Sequence, residues 1–559
     1  MASGTSTVTP APSDESSRLV LWAYRLLPVL LLPLMLVLSR DFGITWDERT
    51  HQQYGQRVWG FLAEGKDNNW FRPGLVYMYL HGGFFDALCV GAQKVLKGDL
   101  WTSRHYVNAL FGWLGIVAAG GIGRMLGGAG TGLLTMVLLV VSPRFFADAM
   151  ANPKDIPFAA LATATLYFLL RLDPRYPFLR WRLAIPIALS IGLALNVRAG
   201  AVLFLAYLAL ALAALTLARR ELSPRHLAAT GGRWAVVSVA ALFIGSAFWP
   251  WARGAPLTRP FEAVKRLSEF DWTHRLLYNG ADITGDTLPW DYVPRWALIG
   301  TPPVVLVGAA LSLLLLLHPR TQRRWRLLAV WGATLFPAVY VVVSHATIYD
   351  GIRHLLFTYL PLVALAAWAW TRLLGSRTKA LHLVAVGALV LGLLEPLVFQ
   401  WRNHPHQAVY FNGLVGGPAG AFGRFEMDYW GVSVRDAVQW VGRTADAAST
   451  PLVVSGHPHQ IVRDESRRVE ALDYDRIEEE NHHIEVVLLR GPRADVIELA
   501  ERTDALYRVT AADGTPLTVV VPGPRYAEVE DVLGVALERA PRDVARVGPY
   551  TGGRAAGRE

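Results

Sequence analysis

The chain has 559 residues, of which 53% are hydrophobic and only 18% charged, with a formal net charge of +9. That balance excludes an ordinary soluble enzyme and predicts a polytopic membrane protein carrying one polar domain. The basic excess does not signal nucleic acid, because the arginines fall mostly in short loops between apolar runs.

Residues 1–18 are rich in Ser, Thr and Pro and are expected to be disordered. Residues 19–38 form the first apolar run, long enough to cross a bilayer at roughly 20 residues per crossing. No small-residue cleavage site follows it, so it reads as an anchored helix and not a removed signal peptide. A first outer loop, 40–104, interleaves charges with Trp46, Tyr54, Trp59, Trp70, Phe71, Tyr77 and Tyr79. Within it, 53–62 and 75–96 look amphipathic and are expected to lie in the membrane interface. One cysteine, Cys89, leaves no internal disulfide.

Further apolar runs lie at 106–125, 128–141, 156–170, 183–195, 201–218, 234–248, 296–317, 327–343, 355–370 and 382–399. The expected total is about 11 transmembrane helices. Alternate loops are arginine-rich: Arg171, Arg175, Arg180 and Arg182; then Arg219, Arg220, Arg225 and Arg233; then Arg320, Arg323, Arg324 and Arg326; then Arg372, Arg377 and Lys379. The positive-inside rule turns these to the cytoplasm, together with the N-terminus. The opposite loops then face out. They carry Asp47 and Glu48, the stretch 148–155, Asn196-Val197-Arg198, the loop 250–295, and 349–354.

From about Gln400 no run is long enough to span. Residues 400–546 read as a small extracytoplasmic α/β domain, and 547–559 as a loose tail. Strands are expected at 451–455 and 485–489, with a hairpin of 506–510 and 515–521 around Ala511-Ala512-Asp513-Gly514. Helices are expected at 434–443 and 494–502.

Four stretches carry candidate chemistry. Gly43-Ile44-Thr45-Trp46-Asp47-Glu48 puts two acids just beyond the first span. A partly desolvated carboxylate there suits proton abstraction, and two acids suit a hard divalent cation such as Mg or Mn, although none is required. The competing reading is a helix N-cap, with acids favoured in the first turn. The second stretch, Ser142 to Pro157, holds Asp148, Lys154 and Asp155, with Pro153 and Pro157 breaking the helices. Lys154 suits a phosphate as a point charge; a plain capped connection is the alternative. The third, Tyr349-Asp350-Gly351-Ile352-Arg353-His354, sends an arginine into an apolar helix. Such an arginine is costly unless paired, and its fork suits phosphate; snorkelling to the interface is the alternative for Arg353 and for Arg198. Fourth, 410–417 and 423–431 mix glycines, aromatics and acids in a shaped loop that either covers a site or ties two domains. The pairs His404/His406, His457/His459 and His482/His483 lack further ligands at metal spacing, and Gly127-Gly128-Ala129-Gly130 lacks the Lys-Ser/Thr of a P-loop.

Taken together, three of these stretches resemble the C-type membrane glycosyltransferases. The nearest group is glycosyltransferase family 39 and its relatives, with the protein O-mannosyltransferases and the lipid A aminoarabinose transferase. The resemblance covers roughly the first 400 residues and rests on Asp47-Glu48, Asn152-Pro153-Lys154-Asp155-Ile156-Pro157-Phe158, and Arg353-His354-Leu355-Leu356 leading to Pro361. It implies an outward active site and a polyprenyl-phosphate sugar donor. It also implies that Asp47 is the catalytic acid, that Glu48 and Asp148 assist it, and that Lys154 and Arg353 hold the donor phosphate. Asp155, Arg198, Asp350 and His354 complete the candidate substrate-binding set. The expected reaction is an inverting single displacement onto a lipid, protein or glycan acceptor in the cell membrane. A transporter or flippase of a lipid-linked sugar is the alternative; it would favour inverted repeats, and none is detected.

Overall fold

In a hydrocarbon layer about 30 Å thick, backbone polar groups must be satisfied within the chain, so apolar runs become helices. The computed structural model describes residues 14–65, 78–173, 176, 178–269, 275–318, 321, 324–466, 468–472 and 481–539. Residues 1–13, the tail 547–559 and the aromatics Trp70, Phe71 and Tyr77 lie outside the described residues. Helix α1 (Asp14–Leu38) is followed by α2 (Glu48–Ala63) and α3 (Phe84–Leu96), both too short to span. Next come α4 (Leu100–Gly127), α5 (Ala129–Val140), α6 (Pro143–Ala151), α7 (Asp155–Leu169) and α8 (Trp181–Leu195). The middle of the chain holds α9 (Leu203–Arg219), α10 (Pro224–Ser246), α11 (Pro250–Arg253) and α12 (Arg259–Ser268). A hairpin of β1 (Arg275–Tyr278) and β2 (Ala281–Thr284) leads to α13 (Tyr292–Gly300), α14 (Pro303–Leu317), α15 (Arg324–Val343), α16 (Leu356–Leu374) and α17 (Lys379–Arg402).

Among the described residues, 7 helices are long and apolar enough to cross a membrane, or up to 9 if each of two bent pairs counts as one span. The expected 11 would count both bent pairs and the two shorter apolar helices, α7 and α8, as crossings as well. The runs at 156–170 and 183–195 fold as α7 and α8, 15 residues each. At 1.5 Å per residue each is roughly 22 Å long, short of the hydrocarbon thickness. The expected single runs at 128–141 and 296–317 belong to the bent pairs. α5 and α6 turn by 74° before Pro143, and α13 and α14 by 119° around Thr301-Pro302. Proline cannot continue a helix, and the break frees carbonyls that need partners. Asn412 supplies them, its Nδ2 donating to Leu298 O (2.7 Å) and Thr301 O (2.8 Å).

The two ends of α4 calibrate the arrangement. Near its start, Arg104 joins a buried carboxylate network; near its end, Arg326 from an arginine-rich loop donates to Met125 O. Those positions are about 30 Å apart along the helix, the thickness of the apolar layer. The carboxylates and that arginine loop therefore sit at opposite ends of the bundle.

Beyond α17 the chain forms α18 (Gly417–Ala421), α19 (Val434–Ala448), β3 (Val453–His457), α20 (His459–Glu465), β4 (Glu470–Ala471), β5 (Ile484–Leu488), α21 (Arg493–Glu501), β6 (Tyr507–Thr510), β7 (Pro516–Pro522) and α22 (Glu530–Arg539). The sheet order is β4-β3-β5-β7-β6, with β3 parallel to β4 and β5, and β7 antiparallel to β5 and β6. Strand alternation covers both faces: Val520 packs into the α19 core, Val519 and Val521 against α21. Ile44 of the first loop is buried in that same α19 core, with Trp46 and Trp101 at its edge. Close backbone contact also ties the first loop to the bundle. At Gly82 an added Cβ would stand 2.2 Å from Asn196 O. Gly82→Ala should therefore lower stability by roughly 1–3 kcal/mol, read as a lower unfolding temperature in detergent.

Candidate active site

The short turn before α2 aims two adjacent acids in different directions. Thr45 N donates to Glu48 Oε2 (2.8 Å) and Glu48 N to Thr45 O (3.1 Å), a reciprocal cap that starts the helix. The capping expectation thus fits Thr45 and Glu48, while the Asp47 side chain makes no cap bond. Glu48 is buried, with His105 Nε2 at 3.1 Å and Arg104 Nε at 3.9 Å. Burial pushes its pKa up, but His105 and then Arg104 outweigh that and hold it below the ordinary carboxylate value. Arg104 continues to Asp86 (3.0 Å) and Gln52 (2.9 Å), and Asp86 to His51 (2.9 Å). This network is closed on itself and welds α2, α3 and α4 together.

Asp47 turns the other way, to Arg353. Its Oδ2 lies 3.1 Å from Arg353 Nη1, and its side chain stays 32% exposed. Among the described residues nothing bonds its Oδ1. Burial raises its pKa, yet Arg353, His51 and Lys154 together bring it below the ordinary value, so it is ionised near neutrality.

Arg353 itself is buried and faces three carboxylates. Its Nη2 is 3.1 Å from Asp350 and its Nη1 4.0 Å from Asp155. Its guanidinium lies 4.9 Å from the ring centroids of both Tyr349 and Trp430. Asp350 and Gly351 adopt left-handed backbone, φ 57° and 67°, which folds Asp350 back beside Arg353. Asp350 also pairs with Arg490 from the end of β5, and Arg490 reaches Glu426 at 3.7 Å.

Asn152 organises the second stretch. Its Oδ1 accepts from Asp155 N (2.9 Å) and Lys154 N (3.3 Å), capping α7. Its Nδ2 is shared between Asp148 Oδ1 (3.2 Å) and Asp155 Oδ2 (3.1 Å). Asp148 also accepts from Trp430 Nε1 (2.8 Å), and Asp155 pairs with Arg198. Lys154 is left without a carboxylate partner among the described residues, its Nζ 3.1 Å from His81 Nε2. Burial, and next Arg198, lower Lys154 to about 7. Burial, and next Lys154, keep His81 well below its ordinary value, so its ring is neutral and accepts from the ammonium. Arg353 Nε, Arg198 Nε, His81 Nδ1 and His354 Nδ1 are buried without hydrogen-bond partners. A cluster with this many open donors suits an incoming anion.

On the other side of Arg353 a cavity of about 100 Å³ runs between α6, α13 and α16. Its lining combines Asp148, Asp350, Arg353 and Arg144 with apolar residues that include Leu356 and Leu362. Arg144 donates to Tyr410 O (2.6 Å), lies 4.4 Å from the centroid of the Phe411 ring, and leaves Nη2 unpartnered.

All nine sequence-predicted residues lie in or beside this region, but not in one role-equivalent group. Asp47, Asp155, Asp350, Arg198 and Arg353 form one chain of ion pairs. Lys154 and His354 border it, Asp148 sits behind Trp430, and Glu48 belongs to the Arg104 network. Sequence reasoning missed Arg490 and Arg144, and placed Trp430 only within the loop 423–431. The only signals were an arginine closing the apolar strand Val486-Val487-Leu488-Leu489 and the basic residue in Ser142-Pro143-Arg144. The two acids offered for a divalent cation turn apart: Asp47 pairs with Arg353, and Glu48 with His105 and Arg104. Among the described residues no group of three His, Cys, Asp or Glu side chains could hold a metal ion.

No protein-family model and no curated protein matches the sequence. Solved structures do. The archaeal oligosaccharyltransferase AglB from Archaeoglobus fulgidus, in complex with an inhibitory peptide and a dolichol-phosphate, superposes with a TM-score of 0.50 at 12% identity, covering 92% of this chain and 77% of that one. ArnT from Cupriavidus metallidurans in the apo state gives 0.47 at 14%, covering 90% and 98%. The likeness is one of fold, and the chain has the C-type membrane glycosyltransferase fold that its sequence resembles. Within that fold, removing Arg353 would leave its carboxylates uncompensated. Arg353→Met should cost about 3–5 kcal/mol of stability, measurable by thermal unfolding.

Proposed function

We propose that the protein transfers a sugar from a polyprenyl-phosphate-linked donor to an acceptor at the outer face of the cell membrane, with inversion. In this reading residues 19–399 are the transferase, 400–546 an extracytoplasmic domain over it, and the N-terminus is cytoplasmic. One observation carries the reading. A carboxylate with an unbonded oxygen, Asp47, is paired to a buried arginine beside a cluster of unpartnered cationic and N–H donors. The donor class is supported by the dolichol-phosphate in the AglB complex.

The donor phosphate lies against Lys154 and Arg353, with Arg198 and His354 alongside. Asp47 Oδ1 takes the proton of the acceptor hydroxyl or amine as that atom attacks the anomeric carbon. The carbon–oxygen bond to phosphate breaks, and its electron pair leaves with polyprenyl phosphate. Fixed cations stabilise the charge growing on the leaving oxygen, where a low-dielectric site makes them most effective. Donor binding also changes Asp47. Cations drawn toward phosphate compensate Asp47 less, so its basicity rises when the donor is in place. Asp148 and Asp350 orient Trp430 and Arg353, and Glu48 holds the start of α2.

Asp47→Asn should reduce transfer about 10²–10⁴-fold while the protein still inserts and folds, measured as polyprenyl phosphate released. Normal release by this variant would remove Asp47 from the reaction, and normal sugar movement without release would favour a transporter. The Lys154 pKa of about 7 gives a second test. An anion bound beside it raises that pKa, so donor binding takes up a proton and affinity falls as pH rises above about 7. Below that pH Lys154 is charged in both states and contributes no slope. Lys154→Arg, charged throughout, should flatten the profile in a donor-binding titration.

A further inference from the structure

A second cavity, of about 450 Å³, lies apart from the ion-pair chain, between the end of α1, the start of α4 and α19. Arg40, Arg435, Arg443 and Arg468 line it, with Trp101 and Gln439. Arg435, Gln439 and Arg443 recur every four residues, so they share one face of α19. Among the described residues, only Arg468 of the four arginines has a carboxylate partner, Asp446 at 2.8 Å. Arg435 uses one nitrogen, Nη1, on the carbonyls of Arg40 (2.9 Å) and Phe42 (2.8 Å). Arg40 donates from Nε to the Tyr106 hydroxyl and lies 5.3 Å from that ring's centroid. Among the described residues Arg443 makes no hydrogen bond, and its Nε is buried without an acceptor. The two acids in the wall are engaged elsewhere: Asp99 accepts from Thr102 N (3.0 Å) and Glu465 from Ile44 N (2.8 Å). Among the described residues, three guanidinium forks thus border the cavity with no carboxylate at ion-pair distance.

The depth of the cavity identifies its occupant. The span of α1 ends at Asp41 and that of α4 begins at Leu100, so Arg40 and Trp101 stand where both helices leave the apolar layer. Basic and aromatic side chains at that depth meet lipid headgroups. Planar forks in number, and not lysines, suit bidentate contact with phosphate oxygens. We propose that this cavity is a binding site for the phosphate-bearing headgroup of a membrane lipid. Its wall includes Ile44, from which the chain reaches Asp47 in one short turn, so the headgroup sits beside the loop that carries the carboxylate.

The test is native mass spectrometry of the full chain in detergent with dioleoylphosphatidylglycerol, with dioleoylglycerol as the phosphate-free lipid. Phosphatidylglycerol should be retained and dioleoylglycerol lost. Arg443→Gln, which removes no internal bond, should weaken retention about tenfold, the effect of one charged hydrogen bond, with an unchanged unfolding temperature. Arg443→Lys should recover part of it. Arg435→Gln should act likewise, and if it misfolds the Arg443 pair still decides. Inorganic phosphate titrated alone separates the sources. Binding as tight as the lipid's, with the same Arg443 dependence, would overturn the lipid assignment in favour of a soluble phosphate compound. Equal retention of both lipids, or indifference to Arg443, would overturn the site altogether.

Discussion

A guanidinium taken out of water is tolerated only among anions, and Arg353 is held by three carboxylates from three separate parts of the chain. Asp47 comes from the first outer loop, Asp155 from the start of α7, and Asp350 from the turn before Arg353 itself. Each carboxylate is in turn fixed by another partner or left partly open. The arrangement is therefore a junction: the first loop, the bundle and the last part of the chain are bound to one another through a single cation. Its geometry depends on devices around it, namely the Asn152 cap, the left-handed Asp350-Gly351 turn and the two flanking aromatic rings.

Much of this was legible in sequence, for identifiable reasons. Arg353 stood out because a charge entering an apolar run needs an explanation. The Asn152-Pro153-Lys154-Asp155 run stood out because proline forces a helix boundary where acids then cap. The strands β5, β6 and β7 were legible because alternating and continuous apolar runs there are bounded by turn residues. The bends were not, because hydropathy does not register that α7 and α8 are short or that two runs fold into sharp turns. Nor was the separation of Asp47 from Glu48. Adjacent acids look like a pair in one dimension, but successive side chains at a helix start point about 100° apart. The loop 423–431 was legible as a cover, but the contacts of Trp430 to Asp148 and of Arg490 to Asp350 span 282 and 140 positions, and no local pattern encodes such meetings.

The bends in α5–α6 and α13–α14 show how irregular backbone is kept at membrane depth. Each break exposes peptide groups, and each receives a polar side chain from elsewhere: Gln400 on the carbonyl of Val140, and Asn412 on those of Leu298 and Thr301. The same bends bring Arg144 and the α13–α14 corner to the border of the cavity beside Arg353. Apolar patterning built the helices, and two side-chain amides, of Gln400 and Asn412, bind the carbonyls where they are interrupted.

Trp430 and Arg490 carry a consequence for the order of events during synthesis. A ribosome threads the bundle into the bilayer helix by helix, and Asp47, Lys154 and Arg353 all emerge before either residue exists. Arg353 waits for the indole above it until about three-quarters of the polypeptide has been made, and Asp350 for its second counter-ion until about nine-tenths. The membrane part thus inserts with an unfinished centre, and the late-emerging sheet closes it from above like a keystone.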